Sequence, residues 1–345
     1  MLVYNPFVFL IECRFHAKVG DYWSIHSDKC GLNESSNNVT VVSNRIIDGQ
    51  STRLGEFPWI VSVQIRRQSG DEFIDSYCAG ALINTKWVLT VATCLQNIDL
   101  TIDVIQMFIG SNHRQLGDTY YAQNITIYNN KNNTRMLDND IAIIKLSHKF
   151  APLVFNDKNR YYFKVNTICL PKANITNVNR EPAIFSGWGA IVKEGTNMTD
   201  NLKKAEYLID NNYKQCNNNN ICVNENWYIP CFGDSGSPLI QYDGERAVLI
   251  GLFSHSVPTN TGNSTIDNQC HPGWQYFTRV SYYVDWIIDT INTIEYHDNE
   301  ELSNKKLTQQ RPNVLLVIVI FLIIVSLSLI AVILAIKFKS DSERE

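Results

Sequence analysis

The sequence predicts an all-β domain, closed by one helix and followed by a single membrane-spanning helix. Three observations predict this. First, short apolar runs alternate with turn-forming residues at Trp59 to Ile65, Ala79 to Val91, Ile105 to Ile109, Ile141 to Leu146, Ala183 to Trp188, Pro238 to Ile240 and Ala247 to Ser254. Many short strands at such spacing make a β-sandwich or a barrel. Second, Val284, Ile287, Ile288 and Ile291 fall on one helical face between Tyr282 and about Glu295. Third, Asn313 to Ile336 is dominated by Leu, Ile and Val and carries no charge. A run of about 20 such residues crosses a bilayer as a helix.

The 345 residues allow one large domain plus appendages. A composition 45% hydrophobic and 19% charged fits a substantial core. The net charge of -4 offers no concentrated basic face, so nucleic acid is not an expected partner. Residues 1–44 read as an irregular leader. Leu2 to Ile11 is apolar but contains Asn5 and Pro6, and has no basic start, so it makes a poor signal peptide. Residues 296–312 are polar and read as a juxtamembrane stalk, 313–336 as the span and 337–345 as a short tail. Lys337 and Lys339 beyond the span put that tail in the cytoplasm and the bulk of the chain outside, at the cell surface or in the secretory pathway. Nine cysteines agree with an oxidising compartment. So do the glycosylation sequons at Asn33, Asn38, Asn124, Asn132, Asn174, Asn197 and Asn263.

The strongest chemical motif is Cys231-Phe232-Gly233-Asp234-Ser235-Gly236-Ser237-Pro238. A nucleophilic serine needs a tight turn that exposes its hydroxyl and aims backbone N–H groups at a developing oxyanion; glycine permits that close approach. Alone, Gly-Asp-Ser-Gly is weak. Here other segments accompany it in order: Arg45-Ile46-Ile47-Asp48-Gly49, then Cys78 to Asn84 with Trp87 to Cys94, then Asp140 to Leu146. Ser186-Gly187-Trp188-Gly189, Ser254-His255-Ser256 and Phe277-Thr278-Arg279-Val280 follow.

Together these segments resemble the trypsin/chymotrypsin family of serine proteases over residues 45–295. The resemblance implies two antiparallel six-stranded β-barrels with a C-terminal helix. It implies Ser235 as nucleophile, Asp140 as triad acid, and Gly233 and Ser235 as oxyanion-hole donors. It implies cleavage after Arg45, which frees the Ile46 ammonium to bury against Asp234. It also implies the disulfides Cys30–Cys169, Cys78–Cys94, Cys216–Cys222 and Cys231–Cys270. A further family bridge is absent at both ends, where Ala183 and Gln241 stand, and Cys13 is left over. No metal and no cofactor is implied.

One position departs from the pattern. The family places histidine directly before the cysteine at Cys94, and this chain has Thr93. That histidine takes the serine proton and returns it to the leaving amine. The task needs a group titrating near neutral pH, which a threonine hydroxyl is not. Losing the base in a comparable triad costs on the order of 10⁶ in kcat. The specificity pocket departs as well. Ile229 stands where trypsin-like enzymes place an Asp for Lys or Arg, and Ser256 and Gln275 stand where small glycines line the pocket. An insertion over 257–269 lies at the rim.

The sequence therefore predicts a membrane-anchored, inactive binding or regulatory homologue of a serine endopeptidase. Its partners would be protein or peptide ligands, protease inhibitors among them. Two rivals remain: a weak endopeptidase using His255 as base, and an adhesive surface glycoprotein.

Overall fold

The computed structural model describes residues 18–19, 22–23, 29–33, 50–128, 137, 139–151, 154–157, 160–174, 182–190, 198–209, 216–225, 229–258, 272–310 and 314–342. Arg45, Ile46, Cys13, Cys270, Asn38, Asn132, Asn197 and Asn263 lie outside the described residues.

The described strands are β1 (Lys18–Val19), β2 (Tyr22–Trp23), β3 (Gln50–Ser51), β4 (Ile60–Ser69), β5 (Glu72–Asn84), β6 (Trp87–Thr90), β7 (Val104–Ile109), β8 (Asp118–Ile127) and β9 (Ala142–Leu146). They continue as β10 (Val154–Asp157), β11 (Arg160–Phe163), β12 (Ala183–Gly187), β13 (Lys203–Tyr207), β14 (Asn220–Glu225), β15 (Pro238–Asp243), β16 (Arg246–Pro258) and β17 (Gly273–Arg279). The helices are α1 (Ala92–Leu95), α2 (Val284–Gln310) and α3 (Val314–Ser342).

Strands β4-β5-β6-β9-β8-β7 close into an antiparallel barrel. Its packing is set by β-branched runs: Val61, Val63 and Ile65 on β4 and Ile144 on β9 share one face by register and are all fully buried, while Ile143 is buried on the other face. The second half forms a seven-stranded sheet in the order β14-β17-β16-β15-β12-β13-β3. Its outermost strands, β14 and β3, do not pair with each other among the described residues. This half is the second sheet of the expected chymotrypsin-like fold, six strands with β3 added at its edge. Phe185, Tyr207, Phe253 and Phe277 fill its core, with the Phe253 and Phe277 rings 5.6 Å apart in a T-shape.

Disulfides join Cys30–Cys169, Cys78–Cys94 and Cys216–Cys222, and Cys231 is also disulfide-bonded. The chain divides into two compact units, Met1–Ile288 and Asp289–Glu345. The second unit begins inside α2, so the expected stalk is helical as far as Gln310. Within α3, Ile318–Lys337 is long and apolar enough to cross a membrane, with none of that stretch buried against protein.

Candidate functional site

Thr93 sits in α1, a single helical turn between β6 and Gln96, fixed by the Cys78–Cys94 bridge. A helix start leaves backbone N–H groups without partners. Val91, the residue before the turn, caps none of them. Asp140 does this instead. Its Oδ1 accepts from Thr93 N at 2.8 Å, and Ala92 N also donates to the carboxylate. Thr93 Oγ1 donates to Asp140 Oδ2 at 3.1 Å, and Ser254 Oγ to the same oxygen at 2.5 Å. Thr93 thus occupies the position expected of the histidine, and its hydroxyl is spent on the acid.

Asp140 itself is 1% exposed. Its placement is built by Asn139, which adopts a positive φ of 66°, and by Thr278 Oγ1, which donates to the Asp140 carbonyl at 2.7 Å. The Tyr283 hydroxyl donates to Asn139 Oδ1 at 2.8 Å. Burial pushes the Asp140 carboxyl above its ordinary range, opposed by the hydrogen bonds from Ser254, Thr93 and Ala92.

Ser235 lies in the turn leading into β15. Asp234 N donates to Cys231 O at 2.9 Å and Ser237 N to Asp234 O at 2.8 Å. Gly233 at φ 93° and Gly236 at φ 83° make this path possible. The loop is sewn to both halves of the domain: Ala79 N donates to Ser235 O at 2.7 Å and Gly236 N to Phe253 O at 2.8 Å. A Cβ on Gly236 would come within 2.1 Å of the Ala79 carbonyl oxygen. Ser235 Oγ has no hydrogen-bond partner among the described residues, and neither do the N–H groups of Gly233 and Ser235. Among the described residues these donors make no hydrogen bond, and no base is hydrogen-bonded to Ser235 Oγ.

Asp234 is buried behind this turn. Its carboxylate accepts from Gly189 N at 2.7 Å and Cys231 N at 2.9 Å. A Cβ on Gly187 or Gly189 would strike it, at 2.1 and 2.0 Å. Burial pushes Asp234 up to about 7 against those two donors.

His255 turns away from this chemistry. Its ring stacks on Tyr276 with centroids 4.6 Å apart and planes 9° apart, and Nδ1 lies 3.0 Å from Ser254 Oγ. Ser254 gives its hydrogen to Asp140, so the imidazole Nδ1 is the donor in that pair. Burial holds the imidazole down at about 4. No hydrogen bond joins His255 to Ser235 among the described residues.

In the pocket region, Gln275 is fully buried. Ser256 Oγ donates to Gln275 Oε1, and Gln275 Nε2 reaches Gly273 O at 3.3 Å. The two side chains form a hydrogen-bonded bar between β16 and β17. Ile229 packs against Ala190 and Cys231. Asn124 on β8 and Asn174 are exposed, as glycan acceptors must be. Asn33 is not. It is buried, and its Nδ2, the atom a glycan would need, donates to Glu56 O at 2.7 Å and Tyr242 Oη at 2.9 Å. The expectation of a glycan at Asn33 is withdrawn on that geometry.

The sequence reading missed a second wall of the site. A Cβ on Gly233 would lie 2.0 Å from Met198 Cε. Arg114 Nη1 lies 3.5 Å from Met198 Sδ, and the guanidinium stacks over the Tyr77 ring at 4.5 Å. No motif marks these residues. The role of Ser254 was legible only as part of a three-residue landmark.

A barrel and a second sheet, with a serine turn sewn between them beside a buried aspartate, define a serine-protease-like body. The sequence model of the Trypsin family matches residues 46–287, and the chain belongs to that family. It is 28% identical over 291 residues to the CLIP domain-containing serine protease B4 of Anopheles gambiae, covering 76% of this chain and 75% of that one. Among solved structures it is similar to the scabies mite inactivated protease paralogue S-D1, with a TM-score of 0.56 and 21% identity. That match covers 72% of this chain and 97% of the mite protein, and shows the shared fold.

Proposed function

We propose that this protein is a membrane-anchored pseudoprotease that binds protein or peptide ligands without hydrolysing them. One observation carries the reading: both the N–H and the hydroxyl of Thr93 are committed to Asp140, and among the described residues no base is hydrogen-bonded to Ser235 Oγ. Without a proton acceptor Ser235 stays a weak alcohol nucleophile. Free oxyanion donors alone leave about 10³–10⁴ over water, negligible for a protein substrate.

The bar between Ser256 and Gln275 supports the same reading, because the family resemblance places both residues where small glycines line the substrate pocket. His255 is a poor substitute base. It is stacked, bonded to Ser254 and held neutral down to about 4. On this reading residues 45–295 form the binding body, presented outside the membrane by the span at 313–336. Glycans sit at exposed acceptors such as Asn124 and Asn174. Cleavage after Arg45 would couple Ile46 to Asp234, as in the family.

The test is labelling by a fluorophosphonate probe after cleavage at Arg45. The expected outcome is labelling slower than an ordinary trypsin-like enzyme by roughly 10³ or more. Labelling of Ser235 at the ordinary rate would end the proposal.

A further inference from the structure

The short leader segment Lys29–Asn33 is seated in the body as a bound peptide would be. Gly31 pairs like a strand on both sides: its N–H donates to Thr167 O at 2.8 Å, and its carbonyl accepts from Ala247 N at 2.9 Å. Asn166 Nδ2 donates to Lys29 O at 2.8 Å and Leu32 O at 2.9 Å, spanning the segment from end to end. Arg246 Nη1 donates to Cys30 O at 2.9 Å. Asn33 closes the seat through its bonds to Glu56 O and Tyr242 Oη.

The fit is steric as well. Gly31 has φ 71°, and a Cβ there would meet the Ala247 backbone oxygen at 2.4 Å. Cys30 and Asn33 are 2% and 3% exposed. Every main-chain carbonyl from Lys29 to Leu32 accepts a hydrogen bond from the body. The Cys30–Cys169 bridge is one contact among these, not the only one.

We infer that this seat is an interaction surface in its own right, whose occupant is the chain's own Cys-Gly-Leu-Asn leader segment, and that it holds the leader after chain cleavage even without the disulfide. This stands apart from the pseudoprotease reading, since it involves neither Ser235 nor Thr93. A leader so held stays on the second sheet through a cut in the 34–49 connector and through reduction of its bridge. Asn166 is the positioning residue. Its loss strips the partner from two part-buried carbonyls at once.

The experiment uses the full chain in detergent, carrying Cys30→Ala and Cys169→Ala and an engineered protease site in place of residues 40–44. After cutting, gel filtration at about 100 µM protein, well above a micromolar Kd, should find the leader fragment eluting with the body. Adding Asn166→Ala should release most of it. A leader that separates from the body of the double variant overturns the inference. So does an Asn166→Ala variant that retains its leader fully. If the double variant does not fold, hydrogen exchange at Gly31 and Ala247 in the cut, disulfide-intact chain decides. Protection unchanged by cutting supports the seat, and protection lost on cutting overturns it.

Discussion

Two buried aspartates, Asp140 and Asp234, flank the same serine turn and have come to different ends. Asp140 lacks the histidine its position implies, yet four donors satisfy it: Thr93 N, Thr93 Oγ1, Ala92 N and Ser254 Oγ. Asp234 has two, the N–H groups of Gly189 and Cys231, and no cation touches it among the described residues. Its glycine walls remain, tight enough that no side chain is tolerated at Gly187 or Gly189. The first site has been refilled with groups that consume the acid. The second keeps a tight enclosure around a carboxyl held by two backbone donors. Thr93 beside one aspartate thus coexists with an undisturbed glycine-walled enclosure around the other.

The largest expected effect breaks the comparison at Asp140. Thr93→His alone should raise fluorophosphonate labelling less than about tenfold if the Ser256–Gln275 bar obstructs the cleft as proposed. Adding Ser256→Gly and Gln275→Gly should raise it by roughly 10³ or more. Full recovery from Thr93→His alone would show that the bar obstructs nothing.

Next comes stability. Asp140→Ala strands the donors of Thr93, Ala92 and Ser254 in a buried place and should cost about 3 kcal/mol in urea unfolding. A loss below about 1 kcal/mol would mean that those donors find water and that the site is less complete than its hydrogen bonds imply.

The pH dependence sharpens the comparison from the other side. Asp234 is raised to about 7 from an ordinary 3.8, so its contribution is fully present below pH 4 and is lost as pH rises through 7. His255 is lowered to about 4 from 6.5, so its contribution is present above 6.5 and is lost as pH falls through 4. Between pH 4 and 6.5 the two oppose each other. Asp140, raised by burial, adds to the Asp234 side. Replacing Asp234 with Asn should tilt the urea midpoint toward a rise with pH across that window, and His255→Gln should tilt it toward a fall. Slopes unchanged in both variants would remove these two groups as the titrating pair.

The smallest effect is Thr93→Val. It deletes one hydrogen bond of 3.1 Å and leaves the backbone N–H bond in place, so about 1 kcal/mol is expected.

Much of this was legible in the sequence because turns and bridges leave local signatures. The spacing around Cys78 and Cys94, the glycines about Ser235 and the apolar runs of β4, β6 and β9 each declare themselves within a few residues. The three described disulfide pairs are those the resemblance implied. What stayed hidden depends on residues far apart in the chain. Ser254 reaches Asp140 across 114 positions. Met198 comes to Gly233 from a loop with no pattern. Asn33 read as a surface sequon because nothing local reveals that Tyr242, 209 positions away, closes over it. The β3 edge strand stayed hidden for the same reason, since it joins β13 only through tertiary pairing.

Gly236 carries a consequence of another kind. Its contact with Ala79, and the bond from Ala79 N to Ser235 O, bind the serine turn to the barrel whether or not the serine ever reacts. The need to fold is thus enough to hold the glycine of this turn in place, independently of any need to hydrolyse. A survey of sequences that counts this motif therefore counts intact bodies, and the number of working enzymes among them must be read from the residue before Cys94.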